Sequence, residues 1–146
     1  LANLYYQRKA TLSALIDCQD MPAMAAMLRT QVTPYWETHY TFGSESFRNA
    51  KHLSPFSINL LMINTCVPML FAYGRHSMKE ALCDRAFDIL EQLKAENNHI
   101  IRMWKECGLD VKSAGDSQAL IQLKREYCDK KECLRCRIGF EYLKRS

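Results

Sequence analysis

Ser54-Pro55-Phe56-Ser57-Ile58-Asn59-Leu60-Leu61-Met62-Ile63-Asn64-Thr65-Cys66-Val67-Pro68-Met69-Leu70-Phe71-Ala72-Tyr73-Gly74 is the stretch that decides the fold. Serine followed by proline is a helix start. The hydroxyl accepts from an early N–H, and proline at the first position gives up no intrahelical bond. From Phe56 to Tyr73 the chain is almost uniformly apolar, and its length alone suggests a membrane span. Asn59, Asn64 and Thr65 interrupt the run, and Pro68 kinks or breaks it. The expectation is therefore a central helix over about 55–74, buried on most sides by protein and ended by Gly74. Buried asparagines need hydrogen-bond partners, which predicts a defined packed neighbourhood.

Helical periodicity continues on both sides. Ser77 to Leu93 carries Ala81, Leu82, Ala86, Ile89, Leu90 and Leu93 on one face and charged residues on the other. Glu96 to Cys107 repeats the pattern and Gly108 stops it. Gly115-Asp116-Ser117 begins a helix through Tyr127, and a last helix runs from about Cys133 to Leu143. Upstream, Leu4, Leu12, Leu15 and Ile16 place one helix from Leu1 onward. Asp20 caps another, whose Met21, Met24, Ala25, Met27 and Leu28 read as core. Pro34 to Phe42 is rich in aromatics, and Ser44 is placed to cap a short helical stretch through Phe47. Period-two alternation is not sustained anywhere, so strand content near zero is predicted. The fold class is all-α, a single compact bundle of about seven helices around the 55–74 helix, with 1–146 as one domain.

Composition agrees. A chain of 146 residues with 48% hydrophobic side chains can bury a core of its own. Five Gly and four Pro are too few for the turns of an all-β fold. Seven cysteines cannot all pair internally. Leu1 to Gln19 carries Gln7, Arg8, Lys9 and Asp17, which is not a secretory leader. A reducing cytoplasm and no membrane partner follow as expectations. Leu1 lacks both a cap and a start methionine, which predicts a C-terminal fragment whose missing N-terminal part would be a partner.

The chemistry-bearing residues cluster at the end. Cys128, Cys133 and Cys136 are spaced C-x4-C-x2-C where two helices are expected to meet. Thiolates this dense point to zinc or an iron–sulfur cluster, or to a reactive thiol pair. The set is one ligand short, with Cys107, His99 and Cys83 as candidates for the fourth. Small residues packing a helical corner are the plain alternative. Residues 124–146 hold eight Lys/Arg against four Asp/Glu, so this tail carries the whole net charge of +4. Lys130, Lys131 and Arg135 are the candidate contacts to nucleic acid, and a solvated helical face is the plain alternative. His39, His52, His76 and His99 form no ligand pair. No paired carboxylates, phosphate-binding glycine loop or nucleophile elbow appears. Trp36 and Trp104 are placed as core, with base stacking as the alternative role.

Four blocks also carry a resemblance. They are Trp36-x3-Tyr40-x-Phe42-Gly43-x2-Ser46, then Ile63-Asn64-x3-Pro68-x-Leu70-Phe71-Ala72-Tyr73-Gly74, then Glu96-Asn97-Asn98. The fourth runs from Ser117-Gln118-Ala119-Leu120 to Tyr127-Cys128-x4-Cys133-Leu134-x-Cys136-x-Ile138-Gly139. Together they look like the C-terminal part of an uncharacterised bacterial protein family, domain of unknown function 2851. The resemblance implies a longer parent whose front part is similar to restriction-endonuclease-like folds, with Asp and Glu-x-His elements. No catalytic residue is carried over from that front part onto this chain, and no enzyme activity is assigned. The expected function is a non-catalytic helical accessory domain, associated with nucleic acid. The alternative is a metal- or iron–sulfur-binding domain built on Cys128, Cys133 and Cys136.

Overall fold

A computed structural model of the chain describes residues 2–145. It is mostly α-helical. In chain order the elements are α1 (Ala2–Tyr6), α2 (Leu12–Asp17), α3 (Met21–Leu28), α4 (Pro34–Thr38), β1 (His39–Thr41) and β2 (Ser44–Glu45). They continue as α5 (Pro55–His76), α6 (Glu80–Gln92), α7 (His99–Glu106), α8 (Ala114–Leu123 running on through Lys124–Cys128) and α9 (Arg137–Arg145). A boundary after Ile89 divides the chain into two compact units. No break in sequence marks it, because α6 runs across it.

In the first unit, Ser54 caps α5 by accepting from the Ser57 N–H at 3.1 Å, and Asp20 caps α3 by accepting from Ala23 at 2.8 Å. Pro68 neither breaks nor ends α5. One π-helical turn, Met62–Cys66, precedes it, and the Val67 N–H bonds back to the Met62 carbonyl. The wider turn answers the missing proline donor and the bulk of its ring. Gly74 lies inside the helix, which runs on to His76. A Cβ on Gly74 would lie 2.9 Å from Cys83 Sγ and 3.1 Å from the Cys83 amide, so glycine here sets how closely α6 crosses α5.

The expectation of a helix buried on most sides is corrected. Ile58, Met62, Ile63, Cys66, Val67, Leu70 and Gly74 form one buried stripe, whereas Phe56 and Met69 are exposed. Met24, Leu28, Leu15 and Leu4 are buried on the neighbouring helices. By length and composition α5 is also apolar enough to cross a membrane, with 33% of its most apolar window buried. Asn64 satisfies its amide locally, donating to the Leu60 carbonyl at 3.0 Å. The continuous first helix also divides: α1 ends at Arg8 (φ 51°), and Thr11 caps a separate α2.

Strand content is low, as expected, and is confined among the described residues to one small antiparallel hairpin. It pairs His39 with Glu45 and Thr41 with Ser44, with Gly43 at φ 73° in the turn. Ser44 therefore starts a strand rather than capping a helix. Ser46 closes the hairpin, donating from its N–H (2.6 Å) and its hydroxyl (2.9 Å) to the Thr38 carbonyl. The pairing is too short for alternation to be visible in the sequence.

The second unit packs Ile100, Ile101, Val111 and Ile121 together, with Ala95, Trp104 and Leu120 against them. Asn98 caps α7 at the Ile101 N–H, 3.0 Å away. Ser113 and Asp116 cap α8 reciprocally, which moves its start one residue ahead of the glycine expected to open it. Bonds from Lys112 and Ser113 N–H hold the Asp116 carboxyl below the usual carboxylate range. Ser117 is fully buried; its hydroxyl donates to the Ala114 carbonyl (3.0 Å) and accepts from the Glu96 N–H (3.2 Å). Ser117→Ala should cost about 1–2 kcal/mol in urea unfolding, because it orphans a partly buried N–H. A cost indistinguishable from zero would mean that water replaces the hydroxyl.

Candidate functional site

The cysteine corner is built from a helix ending. α8 passes through a π turn, Lys124–Cys128, and then stops in a Schellman motif. The Glu132 N–H donates to the Tyr127 carbonyl (2.9 Å), and the Lys131 N–H donates to the Cys128 carbonyl (3.1 Å). Lys131 occupies the left-handed position, φ 54°, that glycine usually fills. The Glu132 carbonyl then accepts from both Arg135 and Cys136 N–H at 3.0 Å, and α9 begins.

Cys128 and Cys133 are exposed in this corner, and Cys136 is buried. Among the described residues no group of three or more His, Cys, Asp or Glu side chains could hold a metal ion. The candidate ligands Cys128, Cys133 and Cys136 are thus not gathered as a set for zinc or an iron–sulfur cluster. Of the proposed fourth ligands, Cys107 is exposed beyond α7, and Cys83 is buried in the first unit with its thiol 3.7 Å from the Phe71 carbonyl. The C-x4-C spacing spans the capping turn itself.

The other thiols are buried, and burial dominates their chemistry. It pushes the Cys66 thiol up to about 11, with the neighbouring Cys18 adding to the shift. Burial also raises Cys18, assisted by the charges of Asp17 and Asp20. Thiolate is the reactive form. A maleimide at neutral pH should therefore label Cys107, Cys128 and Cys133 at once, and Cys18, Cys66, Cys83 and Cys136 only on unfolding. Peptide mapping by mass spectrometry reads this directly. Joint protection of Cys128, Cys133 and Cys136, lifted by a chelator, would restore the ligand reading.

The basic tail sorts into paired and free charges. Lys124 pairs with Asp129, Lys130 with Glu126, and Arg135 with Glu132. Two of the three expected nucleic-acid contacts, Lys130 and Arg135, are thereby engaged by acids one helical turn away. Lys131 is not. Arg125, Lys131, Arg137, Lys144 and Arg145 form no salt bridge among the described residues, and Glu141 is the one tail acid outside those pairs. On α9, Arg137, Glu141 and Arg145 line one shallow groove with Ile138 and Tyr142. Composition alone concealed which cations stay free. The i, i+4 and i, i+3 spacings of Glu126–Lys130 and Glu132–Arg135 are the signal that separates them.

The two tryptophans differ. Trp104 is core, its indole N–H donating to the Leu120 carbonyl at 3.2 Å. Trp36 belongs to a ring cluster on the first unit. Its ring stands edge-on to Tyr35 and to Phe42, each 5.0 Å away between centroids. His39 stacks on Tyr35 at 4.0 Å, and Lys51 places its ammonium 3.5 Å over Tyr40.

No curated protein and no solved structure matches this chain. A family match covers residues 1–99 of the 146, including the Trp36–Ser46, Ile63–Gly74 and Glu96–Asn98 blocks. The cysteine corner and the basic tail lie beyond it. On that match, the chain belongs to the family described as Protein of unknown function (DUF2851).

Proposed function

We propose that this chain is a non-catalytic helical module that binds nucleic acid through the basic surface of its second unit. One observation carries the reading. Three of the tail's four acids are already matched to Lys124, Lys130 and Arg135, so the positive excess rests on Arg125, Lys131, Arg137, Lys144 and Arg145. Cations without an acid partner bind phosphates and release the counterions condensed there, which is favourable at low salt. Arg137 and Arg145 stand eight residues apart along α9, roughly 12 Å of helix rise, which suits successive phosphates of a strand better than one isolated anion. The zinc or iron–sulfur alternative rests on the cysteine spacing alone, since no ligand group is gathered among the described residues.

Binding of a labelled oligonucleotide, followed by fluorescence anisotropy across a salt series, tests the proposal. The logarithm of the affinity should fall linearly with the logarithm of salt. Each cation that touches a phosphate contributes about 0.7–0.9 to the slope. Arg137→Ala with Arg145→Ala should flatten the slope by about two such steps. Lys130→Ala with Arg135→Ala should change it less, because both cations already have acid partners. No binding at low salt, or a slope indifferent to Arg137 and Arg145, sinks the reading.

A further inference from the structure

Beside the ring cluster of the first unit lies an open cavity of about 480 Å³. Its walls include the Tyr6 and Trp36 rings, the polar side chains of Asn3, Thr30 and Thr33, and the nitrogen groups of Lys51 and His52. We infer that this cavity receives one base of a single-stranded nucleic acid, an inference that rests on the nucleic-acid reading above.

The size suits a small planar group, since ligand pockets run from roughly 300 to 1,000 Å³. The chemistry of the walls narrows the occupant. Two aromatic rings offer stacking surface, which every base can use. Trp36 is steadied by the Tyr35 and Phe42 edges, so little motion is lost when a base settles on it. Hydroxyl, amide and imidazole groups supply both donors and acceptors for a base edge. Lys51 forms no salt bridge among the described residues; its ammonium donates to the His39 carbonyl at 2.6 Å and faces the Tyr40 ring. It is a cation at the cavity with no acid to neutralise it, as an adjoining phosphate requires. A base paired within a duplex cannot enter such a concavity, so a single strand is the fitting form. Along the same hairpin Tyr40 and Phe42 are 68% and 83% exposed, which gives neighbouring bases further rings to stack on.

The test compares an oligothymidylate with an abasic strand of equal length and charge, at one salt concentration and then across a salt series. The thymidine strand should bind roughly tenfold more tightly, the scale of one or two stacked bases. Trp36→Ala should bring it down to the abasic strand's affinity while leaving the salt slope unchanged. Tyr6→Ala should act in the same direction. Tyr6 is 86% exposed, so its loss removes no core packing and the variant folds even if Trp36→Ala does not. Equal affinity for the two strands, or indifference to Tyr6→Ala, overturns the base site and leaves the nucleic-acid reading standing. Failure of both strands to bind overturns both.

Discussion

Leu70→Ala should destabilise the first unit by about 3 kcal/mol, within the roughly 2–5 kcal/mol range of buried leucine truncations. Leu70 is fully buried, 0% exposed, on the one buried stripe of α5. Alanine there loses the transfer energy of the removed carbons and leaves a cavity whose walls cannot fully close. Leu70→Met keeps the volume and should cost less than about 1.5 kcal/mol. Met69 next to it is 46% exposed, and Met69→Ala should stay within about 0.5 kcal/mol. Urea unfolding followed by circular dichroism measures all three. The comparison also says which surroundings α5 has. A helix packed by protein on one stripe gives a large effect at Leu70 and almost none at Met69. A Leu70→Ala cost under about 1 kcal/mol would mean that the stripe is not the core of this unit.

The helix starts at Asp20 and Ser54 are legible in this sequence and most helix ends are not, for a physical reason. Asp20 and Ser54 are side-chain caps, and a cap is a residue type at a position. An ending is a backbone conformation. Four helices here finish in the Schellman pattern, at Arg8, Met78, Gly108 and Lys131, all with positive φ. Only Gly108 advertises itself. The other three adopt a conformation that costs a side chain about 1 kcal/mol, and nothing in their identity signals it. That is why α1 and α2 read as one helix, and why Gly74 reads as an end when Met78 supplies it. The π turn before Pro68 escaped for a related reason: proline announces a disturbed ladder but not how the helix absorbs it.

The candidate site was legible as composition and not as arrangement. The excess charge of the tail can be counted, but its availability depends on pairing. Glu126 and Glu132 engage Lys130 and Arg135, while Lys131, Arg137 and Arg145 form no salt bridge among the described residues. Cysteine spacing reads as ligand spacing, yet five residues from Cys128 to Cys133 are also what one helix ending needs before the chain can turn. Trp36 and Tyr6 lie thirty residues apart in sequence and meet only through the fold, at the cavity they both line.

Gly139→Ala should destabilise the C-terminal helix, against the ordinary rule. In a helix interior alanine is favoured over glycine by about 1 kcal/mol, so propensity alone predicts a gain. Packing reverses the sign. A Cβ at Gly139 would lie 2.7 Å from the Cys133 carbonyl oxygen and 3.1 Å from its Cα. Both are backbone atoms. They sit between the Schellman turn at Lys131 and the paired bonds to the Glu132 carbonyl, so they have little room to yield. The helix must move instead, at a cost of about 1–3 kcal/mol that exceeds the propensity gain. Two readouts follow. Cys136, 8% exposed in the native chain, should become reactive towards maleimide at a rate approaching that of Cys133. The salt slope of oligonucleotide binding should also flatten, because Arg137, Lys144 and Arg145 all ride on the displaced helix. Ile138→Ala, at a side chain 66% exposed, is the control and should change neither. A Gly139→Ala protein that is more stable, with Cys136 still protected, would show that α9 does not rest on Cys133.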